Sequence, residues 1–164
     1  MKRTLAVVLI LCLLSALGCS GNSEAYRHER FELVLPEGWE RADEAGVVCF
    51  AKNGDPVRSS SIIFYATDKN YYFDTFDGSD YSGYVNQLAE YELISLVDFS
   101  ETTLDGWNAH RIVYSASIDM SPINIIMYAV DADMSYFFIL FEMEGDNLAE
   151  KFDSAMEDVK IITG

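Results

Sequence analysis

Ile123-Asn-Ile-Ile-Met-Tyr-Ala-Val130 and Ser135-Tyr-Phe-Phe-Ile-Leu-Phe-Glu-Met143 stand on either side of the turn signal Asp131-Ala-Asp133. Each run has the length of a strand and is rich in β-branched and aromatic residues. Successive side chains of a strand point to opposite faces. Ile123, Ile125 and Met127 therefore share one face, and Ile126, Tyr128 and Val130 share the other. Strands apolar on both faces are covered on both sides. These two runs predict the centre of a sheet with one layer above it and another below.

Working outward, Ala109 to Ile118 forms a further strand, joined to Ile123 by a turn at Met120-Ser-Pro122. Asp105-Gly106 is a tight-turn signal before it, and Leu96 to Leu104 is a weaker strand on the far side of that turn. Nearer the N-terminus, Phe31-Glu-Leu-Val-Leu35 is a short strand stopped by Pro36-Glu-Gly-Trp39. Gly46 to Lys52 and Ser60 to Ala66 read as a hairpin around Asn53-Gly54-Asp55-Pro56. Two helices are predicted. The first runs roughly from Tyr81 to Leu93, with Tyr84, Leu88 and Tyr91 as its apolar stripe and Ser79 or Asp80 as its cap. The second starts at Asn147, with Glu150 completing a capping box and Leu148, Phe152, Met156 and Val159 forming the buried stripe. With no internal repeat or linker, residues 31–164 read as a single α+β domain.

Several of these stretches resemble the PsbP-like fold family, which includes the photosystem II extrinsic protein PsbP, a Ran-binding nuclear-import factor and small bacterial lipoproteins. Phe31-x-Leu33-x-Leu35-Pro36-x-Gly38-Trp39 is similar to the family's first strand and turn. Leu104-Asp-Gly-Trp-Asn-Ala-His-Arg-Ile112 is similar to the start of its long hairpin, and the terminal helix matches as well. The resemblance implies an antiparallel sheet of about six to seven strands flanked by helices, an α/β/α sandwich. It also implies a binding or accessory protein rather than an enzyme. Its motifs mark the fold and transfer no functional residue.

Lys2 and Arg3, the ten-residue apolar run Leu5 to Leu14, and Ser15-Ala-Leu-Gly-Cys19 have the form of a bacterial lipoprotein signal. The run is too short to span a bilayer, which needs about 20 helical residues. Cleavage before Cys19 would make that residue the lipidated N-terminus, on the outer face of the cell membrane or in an outer membrane. Residues 1–18 are then the signal peptide, and residues 19–30 the lipidated cysteine and a polar tether. The mature chain would keep Cys19 and Cys49 alone, and Cys49, within an apolar strand, reads as a buried inert thiol.

The formal charge is −16. A protein so acidic lacks the positive face that nucleic acids and anionic lipid surfaces require. Within residues 70–150, Arg111 is the sole basic residue against fifteen carboxylates. This imbalance serves solubility, or offers a face to a basic envelope protein.

Motifs that carry catalysis are missing: there is no Gly-x-Ser-x-Gly, no Gly-rich phosphate loop and no HExxH. His28 falls in the tether and His110 in a strand, so a hydrolase would need the fold itself to assemble a nucleophile and a base. No enzyme activity and no cofactor are expected. The unusual stretch is residues 70–84, where Tyr71, Tyr72, Phe73 and Phe76 interleave with Asp74, Asp77 and Asp80. Three readings follow. The aromatics form a partner-binding patch; the carboxylates around Gly78 hold a hard cation such as calcium, or line a small-ligand site; or the aromatics fold back over the sheet while the aspartates serve the following helix.

Overall fold

A computed structural model describes residues 25–35, 37–43, 47–54, 59–70, 72–86 and 92–164. The readings that rest on Cys19, Tyr71, Leu88 and Tyr91 lie outside the described residues. The strands are β1 (Ala25–Arg27), β2 (Phe31–Val34), β3 (Trp39–Arg41), β4 (Val48–Lys52), β5 (Ser61–Thr67), β6 (Glu92–Leu104), β7 (Trp107–Ile118), β8 (Ser121–Asp131), β9 (Ser135–Met143) and β10 (Lys160–Ile161). A 3-10 turn covers Phe73–Thr75, and two helices, α1 and α2, cover Ser82–Asn86 and Ala149–Glu157. The strands form two antiparallel sheets. One has seven strands in the order β3-β4-β5-β9-β8-β7-β6, and the other has three in the order β1-β2-β10. The fold is α+β and mostly antiparallel.

β8 and β9 are buried on both faces, as their doubly apolar pattern predicts. One face of the large sheet presents Phe64, Ile126, Tyr128, Phe138 and Leu140 to α2 and to Phe31 and Leu33 of the small sheet. The opposite face presents Ile112, Tyr114, Ile125, Met127 and Ile139 to residues 73–85. Tight turns join the long strands. Asp105-Gly106 takes positive φ at both positions, as the Asp-Gly signal anticipates.

The structure corrects three local expectations. The turn before β8 is Asp119-Met120, both at positive φ, and Ser121 and Pro122 already lie in β8. The first helix is a single short turn ending at Asn86, and Glu92 and Leu93, expected at its end, stand in β6. α2 has no capping box. Asn147 sits at φ 51°, outside the extended conformation that an N-cap residue adopts. Its place is taken from across the chain by Glu142 of β9, whose Oε1 accepts from the backbone N–H groups of Leu148 and Ala149. The predicted stripe of Leu148, Phe152, Met156 and Val159 is buried against the sheet.

Residues 25–27, read from the sequence as tether, form β1. They pair in register with Glu32–Val34, and the Tyr26 ring packs edge-on against Phe50 at 4.6 Å. Cys49 is buried. Among the described residues, no helix is long and apolar enough to cross a membrane.

Candidate functional site

The acidic aromatic loop lies against one face of the large sheet. Phe73 is 4% exposed and stacks on the His110 ring at 4.2 Å and 13°. Phe76 packs edge-on against Tyr81, and Tyr84 stacks on Phe137. Tyr72 alone among the described aromatics of this loop faces solvent, at 71% exposure. The third reading holds for the rings, most of which cover the sheet while one remains outside, but not for its aspartates: Asp77 and Asp80 accept from Ser79 and Asp77 within the loop and not from the helix that follows.

A bulge and a glycine fix the loop's position. The register of β6 on β7 shifts between Leu96 and Asp98, so that Leu96 lies opposite Tyr114 and Phe99 opposite Ile112. The extra residue brings both side chains to the loop side of the sheet. Gly78 rests directly on them: a Cβ there would come within 2.7 Å of Leu96 and 3.1 Å of Phe99. The Tyr114 hydroxyl donates to the carbonyl of Gly78 from beneath. The closeness of backbone to strand explains why glycine occupies this position.

The three candidate cation ligands do not converge. Asp77 Oδ1 accepts from the backbone N–H and the hydroxyl of Ser79, at 2.8 and 2.6 Å. Asp80 Oδ2 accepts from the N–H of Asp77 at 2.8 Å, and Asp74 is exposed. Asp77 is held below the ordinary carboxylate range by these Ser79 bonds. Among the described residues, no group of three His, Cys, Asp or Glu side chains is placed to hold a metal ion.

His110 is buried among Phe73, Phe99 and Tyr81, and its Nδ1 lies 2.6 Å from the Tyr81 hydroxyl. Burial lowers its pKa, against the smaller opposing effects of Glu101 and Asp74. Burial also pushes the Tyr81 phenol up, so the pair is a neutral hydrogen bond in an apolar setting. A hydroxyl beside an imidazole is one part of a hydrolytic site, but here aromatic rings pack around both groups. His28, at the β1–β2 turn, accepts from the N–H of Arg30 and stacks on Phe31.

Two other surface features escaped the sequence reading. One is a cleft of about 680 Å³ bordered by His28, Val48, Phe64, Tyr65, Tyr84 and Met134. The Tyr65 hydroxyl beside it is buried and has no hydrogen-bond partner among the described residues. The other is β6 itself. It is one of the two edge strands of the large sheet, with β3 at the other end, and its side chains from Ser95 to Thr103 are exposed apart from a half-buried Phe99. No local signal foretells either. Both arise where distant segments stop covering one another.

The fold is that of PsbP-like α+β domains. The solution structure of cyanobacterial PsbP from Synechocystis sp. PCC 6803 matches with a TM-score of 0.63 at 18% identity, covering 88% of this chain and 97% of that one. The crystal structure of LpqN, described as involved in cell envelope biogenesis of Mycobacterium tuberculosis, matches with a TM-score of 0.56 at 13% identity, covering 87% and 86%. A Pseudomonas aeruginosa protein of unknown function matches with a TM-score of 0.50 at 16% identity, covering 84% and 96%. No family model matches the sequence, and no curated protein does. At these identities the likeness concerns the fold.

Proposed function

We propose that this chain is a lipid-anchored, extracytoplasmic accessory protein of the cell envelope, which binds another envelope component and catalyses no reaction. The observation that carries this reading is one of spacing. A signal-like run ending in Gly18-Cys19 is followed within six residues by β1 of the folded domain. Six residues span at most about 20 Å, so an acyl group on Cys19 holds the domain against the bilayer. LpqN, of the same fold, is described as taking part in cell envelope biogenesis, which supports the compartment. The buried surroundings of His110 support the non-catalytic reading.

Two measurements test it. Cys19→Ala is expected to move the protein from the membrane fraction to the soluble fraction, and unchanged membrane attachment overturns the anchor. Cross-linking in intact cells followed by affinity capture is expected to recover one recurrent envelope protein. Substrate turnover by the purified chain, lost on His110→Gln with the fold intact, overturns the non-enzymatic reading.

A further inference from the structure

We propose that the outer edge of β6 is a strand-addition site, which takes an extended, basic segment of a partner protein as an eighth strand of the large sheet. The inference deepens the accessory-protein reading by naming the surface and the partner's chemistry. A strand at the end of a sheet presents unpaired backbone N–H and C=O groups along one side, and extended peptides bind such edges through main-chain hydrogen bonds. β6 has thirteen residues, pairs with β7 on one side, and has no described strand on the other.

The bulge divides this edge into two parts. Register is irregular up to Asp98, and from Asp98 to Leu104 it runs without interruption against Val113 to Trp107. That regular stretch offers seven residues of straight edge, a usual strand length. Next to it, Leu96 and Val97 are 46% and 63% exposed, an apolar foothold at one end.

Charge selects the occupant. The straight edge carries Glu101 and Asp98, the latter also paired with Arg111 of β7 at 3.5 Å, and no basic residue of its own. A second copy laid antiparallel in full overlap on residues 98–104 would set Glu101 against Glu101, and like charges directly opposite are destabilising. The feature that discourages self-pairing favours a strand carrying Lys or Arg, so Glu101 supplies both rejection and selection.

The test uses the full-length chain in detergent, with a synthetic twelve-residue peptide of alternating Lys and Val as probe. An alternating Glu and Val peptide is the control. The basic peptide is expected to slow amide exchange within residues 98–104 at least fivefold, and the acidic peptide is expected to have no effect. Glu101→Lys is expected to weaken the basic peptide's binding at least threefold. Neighbouring strand residues aim their N–H groups in opposite directions, so one of Thr102→Pro and Thr103→Pro removes an outward donor and leaves the β7 ladder intact. Whichever variant keeps the wild-type melting temperature is expected to lose the peptide. The proposal is overturned if exchange in 98–104 is unaffected by the basic peptide, if the folded proline variant binds it normally, or if the edge is protected by self-association instead. None of these readouts depends on Cys19, so failure of the anchor and failure of the edge site are separable.

Discussion

The two faces of the large sheet are covered in different ways. On one face, α2 and the small sheet supply Phe31, Leu33, Phe152 and Met156, all essentially inaccessible to solvent. Polar bonds fasten this layer. Arg111 of β7 donates from Nε and Nη2 to the two oxygens of Asp153 in α2, at 2.9 and 2.8 Å, and the Tyr128 hydroxyl donates to the same carboxylate at 2.7 Å. On the other face, a loop with one 3-10 turn and a helix of five residues does the covering. It is held by ring stacking, by Gly78 against the bulge and by the Tyr114 hydroxyl. A regular helix brings its own hydrogen bonds to the surface it covers. A loop must borrow them, and here it takes them from aspartates within itself and from the Tyr114 phenol in the sheet.

If this contrast is right, the helical face should bear the larger share of stability. Phe152→Ala is expected to destabilise the whole domain by about 3–5 kcal/mol, as core phenylalanine truncations do, measured by chemical denaturation. A loss under about 1 kcal/mol would break the contrast.

Gly78→Ala is expected to cost about 1 kcal/mol, because the new methyl displaces the exposed tip of Leu96 and presses on the Phe99 Cβ at 3.1 Å. Amide exchange should accelerate in residues 72–86 and leave α2 unaffected. A uniform increase would show that the two covers are not independent.

His110 sharpens the comparison through pH. Burial holds its pKa below the ordinary value of 6.5. As pH falls through that value, the unfolded chain takes up the proton first and the native state loses stability until the folded value is passed. The melting temperature of the wild type should therefore fall between about pH 7 and pH 5.5, and that of His110→Gln should fall less. The carboxylates Asp77, Asp133 and Asp146 are held low by hydrogen bonds from Ser79, from Tyr136, and from Lys52 and Ser60 respectively. Their contribution is lost only at more acid pH, as it falls from the ordinary 3.8 through their folded values. Equal slopes in the two proteins would refute the assignment to His110.

The smallest effect is expected at Tyr72, where replacement by Ala should change stability by no more than about 0.5 kcal/mol, since the ring covers nothing.

Much of the architecture was legible because it rests on alternation. β9 was read at its observed limits of Ser135 and Met143, and β5, β7 and β8 within two residues of theirs. The doubly apolar pattern of β8 and β9 correctly implied two covering layers. What failed was information carried across the chain. Asn147 and Glu150 form a good local capping pattern, yet the helix takes its cap from Glu142, which the hairpin brings back to that point. The apolar residues around position 90 suit either a helix or a strand, and pairing with Ser117 decided for a strand at Glu92. The residues of the aromatic loop were visible as unusual, but which rings would be buried depended on the bulge at Val97. The open edge of β6 was invisible, because a sequence shows which strands exist and not which one comes last in the sheet.

β10 has a consequence for the timing of folding. Ile161 pairs with Phe31, and the Ile162 N–H donates to the Arg30 carbonyl at 2.9 Å. The middle strand of the small sheet thus waits for Lys160 and Ile161, far along the chain, before it has neighbours on both sides. Such distant pairing is the slow kind to form. Closure of β2 is thereby coupled to the arrival of Lys160 and Ile161, and a chain without them would leave one side of β2 unpaired.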